Sequence, residues 1–201
     1  MNALVNIDTD NPHKTFGQWL DEAKLTEIND HNAMNLATAD KNGRPSNRMV
    51  LLNGHDERGF VFYTNAESHK GHDISENPYA ALCFHWKSLR RQVRIEGRIE
   101  EVSKEESDAY YKSRPRLSRI GAWASQQSRK LPGYDDLKAA VATYEKKYEG
   151  NEDIPRPAYW KGFRVVPDKI EFWIDGEFRL HRRHVFERHG NDAWTTYMIY
   201  P

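Results

Sequence analysis

The sequence is short of cysteine, net charge and long apolar runs, and each shortage excludes a class of protein. Its only cysteine, Cys83, excludes an intramolecular disulfide framework and suits a reducing compartment. The 30 basic and 30 acidic residues cancel, so no overall field attracts nucleic acid, and any anion site must be local. No apolar run reaches the roughly 18 residues that span a bilayer, and residues 1–12 lack a signal-peptide pattern. We therefore expect a cytoplasmic chain without nucleic-acid or membrane partners.

Several enzyme motifs are missing as well. The sequence contains neither G-x-G-x-x-G nor G-x-x-x-x-G-K, which argues against nicotinamide dehydrogenases and P-loop enzymes. It also lacks the G-x-S-x-G elbow of many serine hydrolases. The histidine pairs His69/His72 and His181/His184 have no carboxylate or cysteine at a recognisable metal-ligand spacing, so we expect no metal site.

The residues that are present predict one folded domain over residues 14–201, preceded by a mobile tail over residues 1–13. Alternation of apolar and polar residues, which is typical of strands, recurs along the chain. Strands are predicted over residues 33–39, 48–52, 60–64, 79–86, 92–102, 160–166, 169–173, 185–189 and 194–199. Helices are predicted to begin after caps at Thr15, Ser68 and Ser103, and over residues 134–148. This mixture indicates a mainly β protein with peripheral helices, whose strands close into a barrel.

Three polar patterns stand out against this background. Arg179 and His181 follow Trp173 closely, and a guanidinium with an imidazole can hold an electron-poor or anionic ring. Arg48 opens a strand on which Val50 and Leu52 share its face. Taken alone, both patterns are more typical of solvated strand ends.

The third pattern is a set of residues spaced by four. Tyr110, Arg114 and Ser118 follow one another at this spacing across the end of a predicted helix and the loop after it. There they could converge on one phosphate. Taken alone, Tyr110 is more typical of an aromatic residue in the hydrophobic core than of a phosphate ligand.

A series of motifs resembles the pyridoxine/pyridoxamine 5′-phosphate oxidase family over Phe16 to Pro201. The motifs, in chain order, are Arg48-Met49-Val50-Leu51-Leu52, Tyr63-Thr64-Asn65, Arg91-Gln92-Val93-Arg94, Ser113-Arg114-Pro115-Arg116 and Arg179-Leu180-His181. The resemblance implies an FMN-binding split β-barrel that acts as a homodimer. It further implies oxidation of pyridoxamine 5′-phosphate, pyridoxine 5′-phosphate or both to pyridoxal 5′-phosphate. In that reaction hydride passes from C4′ to flavin N5, and O2 reoxidises FMN to give H2O2.

The same resemblance implies a role for each matched residue. The implied FMN contacts are Arg48, Met49, Val50, Leu51, Leu52, Asn53, Tyr63, Thr64, His69, Lys70, Gln92, Gln127, Ser128, Trp173 and Arg183, some of them reaching across from a second subunit. The implied substrate contacts are Asn53, Tyr110, Arg114, Ser118, Arg179, Leu180 and His181. Arg179 and His181 are the implied catalytic pair.

Three positions depart from the family pattern. Asn53 stands where the family usually has Lys, His69 where it has Arg, and Arg182 where it has Asp. The first two changes remove fixed cations near phosphates, and the third adds one. These departures leave two alternatives open: a flavin oxidase of the same scaffold that acts on another ring, of the phenazine-pathway type, and a non-catalytic binder of FMN or pyridoxal phosphate.

Overall fold

The computed structural model describes residues 7–190 and 193–201, which form one antiparallel sheet with helices around it. The strands are β1 (Ala33–Ala39), β2 (Pro45–Leu51), β3 (Gly54–Asp56), β4 (Gly59–Asn65), β5 (Tyr79–Trp86), β6 (Arg91–Glu101), β7 (Trp160–Ile174), β8 (Arg182–Glu187) and β9 (Thr195–Met198). The helices are α1 (Pro12–Thr26), α2 (His69–Glu76), α3 (Lys104–Ser113), α4 (Arg116–Ala124) and α5 (Tyr134–Lys147). A short 3-10 turn covers Glu177–Arg179.

The long strand β7 organises the sheet. One of its edges pairs with β6 along most of its length. Its other edge is divided, because residues 160–165 pair with β4 and residues 169–174 pair with β8. Pro167, which has no N–H to donate, lies between the two halves, opposite a register shift at Glu96/Gly97 in β6. This division splits one sheet into two curved portions, as the predicted split barrel requires.

The core lies between α1 and the concave face of the sheet. Phe16 and Trp19 of α1 are buried and make edge-on ring contacts with Phe60 and Phe172, with centroids 4.9 and 5.0 Å apart. Such aromatic pairs contribute about 0.5–1.5 kcal/mol each beyond the area they bury. Helix α1 therefore packs its apolar face, which carries Phe16 and Trp19, on the sheet.

Most of the predicted elements are confirmed, with local corrections. The cap of α1 is Asn11, whose side chain accepts from the Lys14 N–H, and not Thr15. The two strands predicted over residues 160–173 are one strand, and α4 and β3 were not predicted. Residues 1–6 of the predicted mobile tail lie outside the described residues. Residues 12 and 13 of that tail form the first turn of α1. None of the described helices is both long and apolar enough to span a membrane.

Candidate functional site

A polar cleft of about 570 Å³ opens beside β2, β4 and the first turn of α2. It brings together eleven of the fifteen residues predicted to contact FMN, so motifs far apart in sequence form one surface. The residues lining it are Ser46, Asn47, Arg48, Met49, Val50, Leu51, Asn53, Tyr63, Thr64, His69, Lys70, Tyr110, Arg114, Gln127, Ser128 and Trp160.

Arg48 is held at the cleft by a closed hydrogen-bond network. Its guanidinium donates to Thr38 Oγ1 at 2.7 Å and to Ser46 Oγ at 2.6 Å. Both hydroxyls donate in turn to Asp73 Oδ2, at 2.6 and 2.8 Å. Because each hydroxyl has one proton, and that proton goes to the carboxylate, only its lone pairs face Arg48. Burial alone would raise the pKa of Asp73, but the hydrogen bonds from Thr38 and Ser46 outweigh it and lower that pKa.

Lys70 supplies a second cation, and its charge is poorly compensated. Its ammonium is buried and donates to Gln127 Oε1 at 2.9 Å and to Thr64 Oγ1 at 3.2 Å, both neutral acceptors. Within the described part of the chain, no carboxylate forms an ion pair with it. Burial, with a smaller effect of nearby Arg48, lowers the pKa of Lys70 to about 8. A buried ammonium among neutral acceptors is stabilised by a bound anion.

A third cation, Arg114, is held by a stack of aromatic rings. The Tyr63 ring stacks on Tyr110 at 4.1 Å and on Trp160 at 5.0 Å between centroids. The Arg114 guanidinium lies over Trp160, 5.0 Å from its centroid. Its Nη1 is buried without a hydrogen-bond partner among the described residues, and burial lowers the pKa of Arg114. Since buried donors are nearly always paired in proteins, this unpaired nitrogen indicates a place for an external acceptor.

The predicted trio of Tyr110, Arg114 and Ser118 is only partly brought together. Ser118 lies on α4, not in the predicted loop, and lines an adjoining cavity of about 370 Å³. Arg114 lines both spaces, whereas Tyr110 lines only the larger one.

Two of the unusual residues lie in the larger cleft. Asn53 donates through Nδ2 to the Tyr110 hydroxyl. The side chain of His69 is 67% exposed, with Nε2 3.6 Å from Asp73 Oδ1. Both residues therefore line the cleft, at positions where the family resemblance predicts cations.

The predicted catalytic pair lines a different cleft, of about 490 Å³. Its walls are Trp173, Asp175, Gly176, Phe178, Arg179 and His181. The imidazole of His181 lies against the indole of Trp173, with centroids 4.5 Å apart. Phe178 and Arg179 both have positive φ, 54° and 66°. Non-glycine residues rarely adopt this conformation, and it concentrates at functional loops.

Four predicted FMN contacts lie outside the larger cleft, and one predicted substrate contact, Leu180, lines neither cleft. Gln92, Trp173 and Arg183 are register partners across β6, β7 and β8. The guanidinium of Arg183 makes a two-pronged ion pair with Glu171, at 2.7 and 2.9 Å. The Leu52 side chain is in the core, and Leu180 is 70% exposed and lines neither cleft.

Several residues that build the site were not predicted. Asp73 and Thr38 fix Arg48 from other elements, and Trp160 supports Arg114. The only sequence signal for Asp73 is its position on α2 one turn after His69, which carries no indication of contact with β2. Asp175, beside His181, was likewise missed.

The donors in the larger cleft fit a phosphate-bearing cofactor. FMN carries a phosphate, and the Arg48 and Lys70 side chains offer charge-assisted donors of the kind that phosphate binds. The unpaired Arg114 nitrogen offers a further one. The neighbouring β2 edge offers unpaired backbone groups to a planar ring, because β2 is the last strand on its side of the sheet.

Comparison with known proteins agrees with these features. The chain matches the pyridoxamine 5′-phosphate oxidase family over residues 20–148, and the family's C-terminal dimerisation region over residues 160–201. A pyridoxine/pyridoxamine 5′-phosphate oxidase of Agrobacterium fabrum is 59% identical over 191 residues, which cover 94% of this chain and 92% of the relative. One from Chelativorans sp. is 58% identical over 190 residues, which cover 94% and 90%.

Solved structures share the fold. PhzG from Burkholderia lata, in complex with tetrahydrophenazine-1-carboxylic acid, superposes with a TM-score of 0.91 at 29% identity, covering 100% of this chain and 98% of that one. An FMN-binding, pyridoxamine 5′-phosphate oxidase-related protein from Nostoc punctiforme gives a TM-score of 0.74 at 18% identity, covering 95% and 98%.

The divided sheet and its cation-lined cleft, together with the family match, identify a split-barrel flavoprotein whose cofactor is FMN. More specifically, the chain belongs to the pyridoxine/pyridoxamine 5′-phosphate oxidase family and is an oxidoreductase. The predicted family, fold, cofactor and enzyme class are thereby confirmed.

Proposed function

We propose that this chain oxidises pyridoxamine 5′-phosphate, pyridoxine 5′-phosphate or both to pyridoxal 5′-phosphate, as a cytoplasmic homodimer. The observation that carries the proposal is the pair of uncompensated cations, Lys70 and Arg114, in one cleft. Two phosphates must be bound in this reaction, one of the cofactor and one of the substrate, and two such cations suit them.

The residues around Lys70 suit the cofactor. Arg48, Thr64 and Lys70 would hold the FMN phosphate, and the segment from Met49 to Asn53, at the end of β2, would lie along the ring. Gln127 and Ser128 complete this part of the cleft. When bound, FMN would supply the redox chemistry, as the acceptor at N5 of the hydride from the substrate C4′ and as the group that O2 would reoxidise to give H2O2.

The residues around Arg114 suit the substrate. Tyr110 and Arg114, with Ser118 in the adjoining cavity, would bind its 5′-phosphate. Arg179 would press on the pyridine ring and stabilise charge that develops during transfer, and His181 would orient the polar substituents of the ring. Because these last two line a separate cleft in one chain, we propose that a second subunit supplies them, along with Gln92, Trp173 and Arg183.

Anaerobic reduction of the bound flavin tests this function. The purified protein should be yellow, should bleach when pyridoxamine or pyridoxine 5′-phosphate is added without oxygen, and should recover its colour in air. A yellow protein that neither compound bleaches would contradict the proposal.

A second candidate is oxidation of another ring by the same scaffold. Asn53 supports it, because a neutral amide bonded to Tyr110 stands where the family usually offers Lys to the substrate phosphate. The likeness to PhzG supports it as well. This candidate would be favoured if an unphosphorylated ring acid bleaches the flavin while pyridoxamine and pyridoxine 5′-phosphate leave it unchanged.

A further inference from the structure

His181 has a carboxylate beside its imidazole. Its Nδ1 lies 3.1 Å from Asp175 Oδ1 and also 3.1 Å from the backbone nitrogen of Gly176. The side chains of Asp175 and His181 are only 19% and 18% exposed, so water competes little for this contact.

The two neighbours of Nδ1 make opposite demands on it. The Gly176 N–H can only donate, and it needs an unprotonated Nδ1. The Asp175 carboxylate can only accept, and it needs a proton on Nδ1. Neutral imidazole carries one proton on one of its two nitrogens, so the neighbours select between its two tautomers. Among the described residues the hydrogen bond at Nδ1 is the one that Gly176 donates, and the Asp175 contact is an ion-pair approach. Because an ionised acceptor binds a proton donor roughly twice as strongly as a neutral one, we expect the carboxylate to prevail.

Asp175 is itself held in place on two sides. Its backbone N–H donates to the Arg90 carbonyl oxygen at 3.1 Å. Its carboxylate also forms an ion pair with the Arg90 side chain, which is 72% exposed. Arg90, Asp175 and His181 thus form a row that runs from the surface to the cleft that Arg179 lines.

The residue after His181 is a cation, Arg182. The carboxylate that contacts His181 comes from the turn before it, six positions earlier.

We propose that Asp175 is a positioning residue that keeps His181 in the tautomer protonated at Nδ1. Nε2 is then an acceptor, and it receives a hydrogen bond from a hydroxyl or amino substituent of the substrate ring. Arg179 can only donate, so the pair flanks the ring with one donor and one acceptor. The substrate part of this proposal rests on the proposed function, whereas the tautomer does not.

Nitrogen NMR of the FMN-loaded protein tests the tautomer directly. With ¹⁵N-labelled histidine at pH 8.5, His181 should show a protonated Nδ1 and an unprotonated Nε2. The His181→Gln spectrum assigns its signals. Asp175→Asn should move the proton toward Nε2, because the Gly176 N–H then meets no charged competitor. Glu177→Gln is the matched control, since it removes one negative charge from an exposed side chain of the same turn.

The flavin provides the second measurement. In Asp175→Asn the rate of anaerobic flavin reduction by pyridoxamine 5′-phosphate should fall on the order of tenfold. The FMN dissociation constant should change less than about twofold, which shows that the variant is folded. Glu177→Gln should leave both quantities unchanged.

The outcomes separate this inference from the proposed function. Unchanged His181 signals in Asp175→Asn, or equal changes in Glu177→Gln, would overturn the role of Asp175 even if the wild type reduces its flavin normally. A wild type that no phosphorylated substrate bleaches would overturn the proposed function, while the NMR comparison would still decide the tautomer.

Discussion

Three cations at the larger cleft, Arg48, Lys70 and Arg114, differ in how their charge is balanced. Arg48 is tied to Asp73 through two hydroxyls, whereas Lys70 meets neutral acceptors only, within the described residues. Arg114 leaves one buried nitrogen unpaired. Because its guanidinium is held by the Asp73 network, Arg48 fixes where an anion is placed. Lys70 and Arg114 carry most of the electrostatic attraction for that anion.

Cofactor binding should weaken in alkali because of Lys70. Its pKa of about 8 in the free protein means that the attracting charge is present below pH 8 and is lost above it. Since bound phosphate favours the charged form, the FMN dissociation constant should rise by up to about tenfold per pH unit above pH 8. Fluorescence titration of apoprotein with FMN from pH 7 to 10 measures this rise.

Lys70→Arg should flatten that profile, because guanidinium stays charged throughout the range. Lys24→Arg, on the exposed face of α1, is the control and should follow the wild type. A wild-type affinity that stays constant to pH 10 would show that Lys70 does not meet the phosphate.

Restoring the cation at position 53 should improve use of a phosphorylated substrate. We expect Asn53→Lys to lower the Michaelis constant for pyridoxamine 5′-phosphate on the order of ten- to a hundredfold, since a charge-assisted hydrogen bond contributes about 1.5–3 kcal/mol. The rate of flavin reduction should change little. Steady-state kinetics with pyridoxamine, which lacks the phosphate, is the control and should show a smaller gain. Equal effects on both compounds would indicate that Asn53 does not face a substrate phosphate.

Among the elements, β7 does most to position the site. Its first half carries Trp160 to the larger cleft, and its second half carries Trp173 toward the smaller one. Between the two halves, the strand that pairs with one edge of β7 changes from β4 to β8. Near this point β6 approaches β7 closely at Gly97, where an added Cβ would overlap the Val166 carbonyl oxygen.

Gly97→Ala should therefore destabilise the fold, by about 1–3 kcal/mol, because backbone must move to relieve the overlap. Gly54→Ala is the matched control: this strand glycine has no atom within 4 Å of an added Cβ and no positive φ. Urea unfolding of both variants measures the difference. Equal midpoints would mean that the β6–β7 approach is not tight in solution.

For the whole molecule, we expect a homodimer whose two sites each combine residues of both chains. The predicted contacts are divided between two separate clefts of one chain, and residues 160–201 match the family's dimerisation region. Sedimentation velocity at micromolar concentration should show a dimer that retains FMN. A monomer that binds FMN equally tightly would contradict this arrangement.

Mixing two inactive variants tests the sharing of sites. Lys70→Gln and Arg179→Ala change different clefts, so a mixed dimer would contain one doubly altered site and one intact site. Random reassociation should restore about a quarter of the wild-type sites. Failure of the mixture to regain any activity, with both variants dimeric, would place both residues in a site of a single chain.

Local chemistry made much of this protein predictable from its sequence. Ser68 and Ser103 cap α2 and α3 as expected, because a side-chain oxygen reaches only the next turn of its own helix. The alternation in β2 correctly buries Val50 more than Met49, since successive side chains of a strand point to opposite faces. The family motifs likewise gave the cofactor and the enzyme class.

Tertiary structure decided which residues distant in sequence come into contact, and which of two competing partners a side chain contacts. Asp73 contacts Arg48 only because α2 packs beside β1 and β2. The two residues are 25 positions apart, and nothing in the sequence between them indicates the contact. The continuity of β7 past Pro167 depends on pairing partners on both of its edges. Asp175 reaches His181 because two left-handed residues, Phe178 and Arg179, turn the chain back on itself. Sequence determined which groups are available, and packing determined which of them share a proton or a charge.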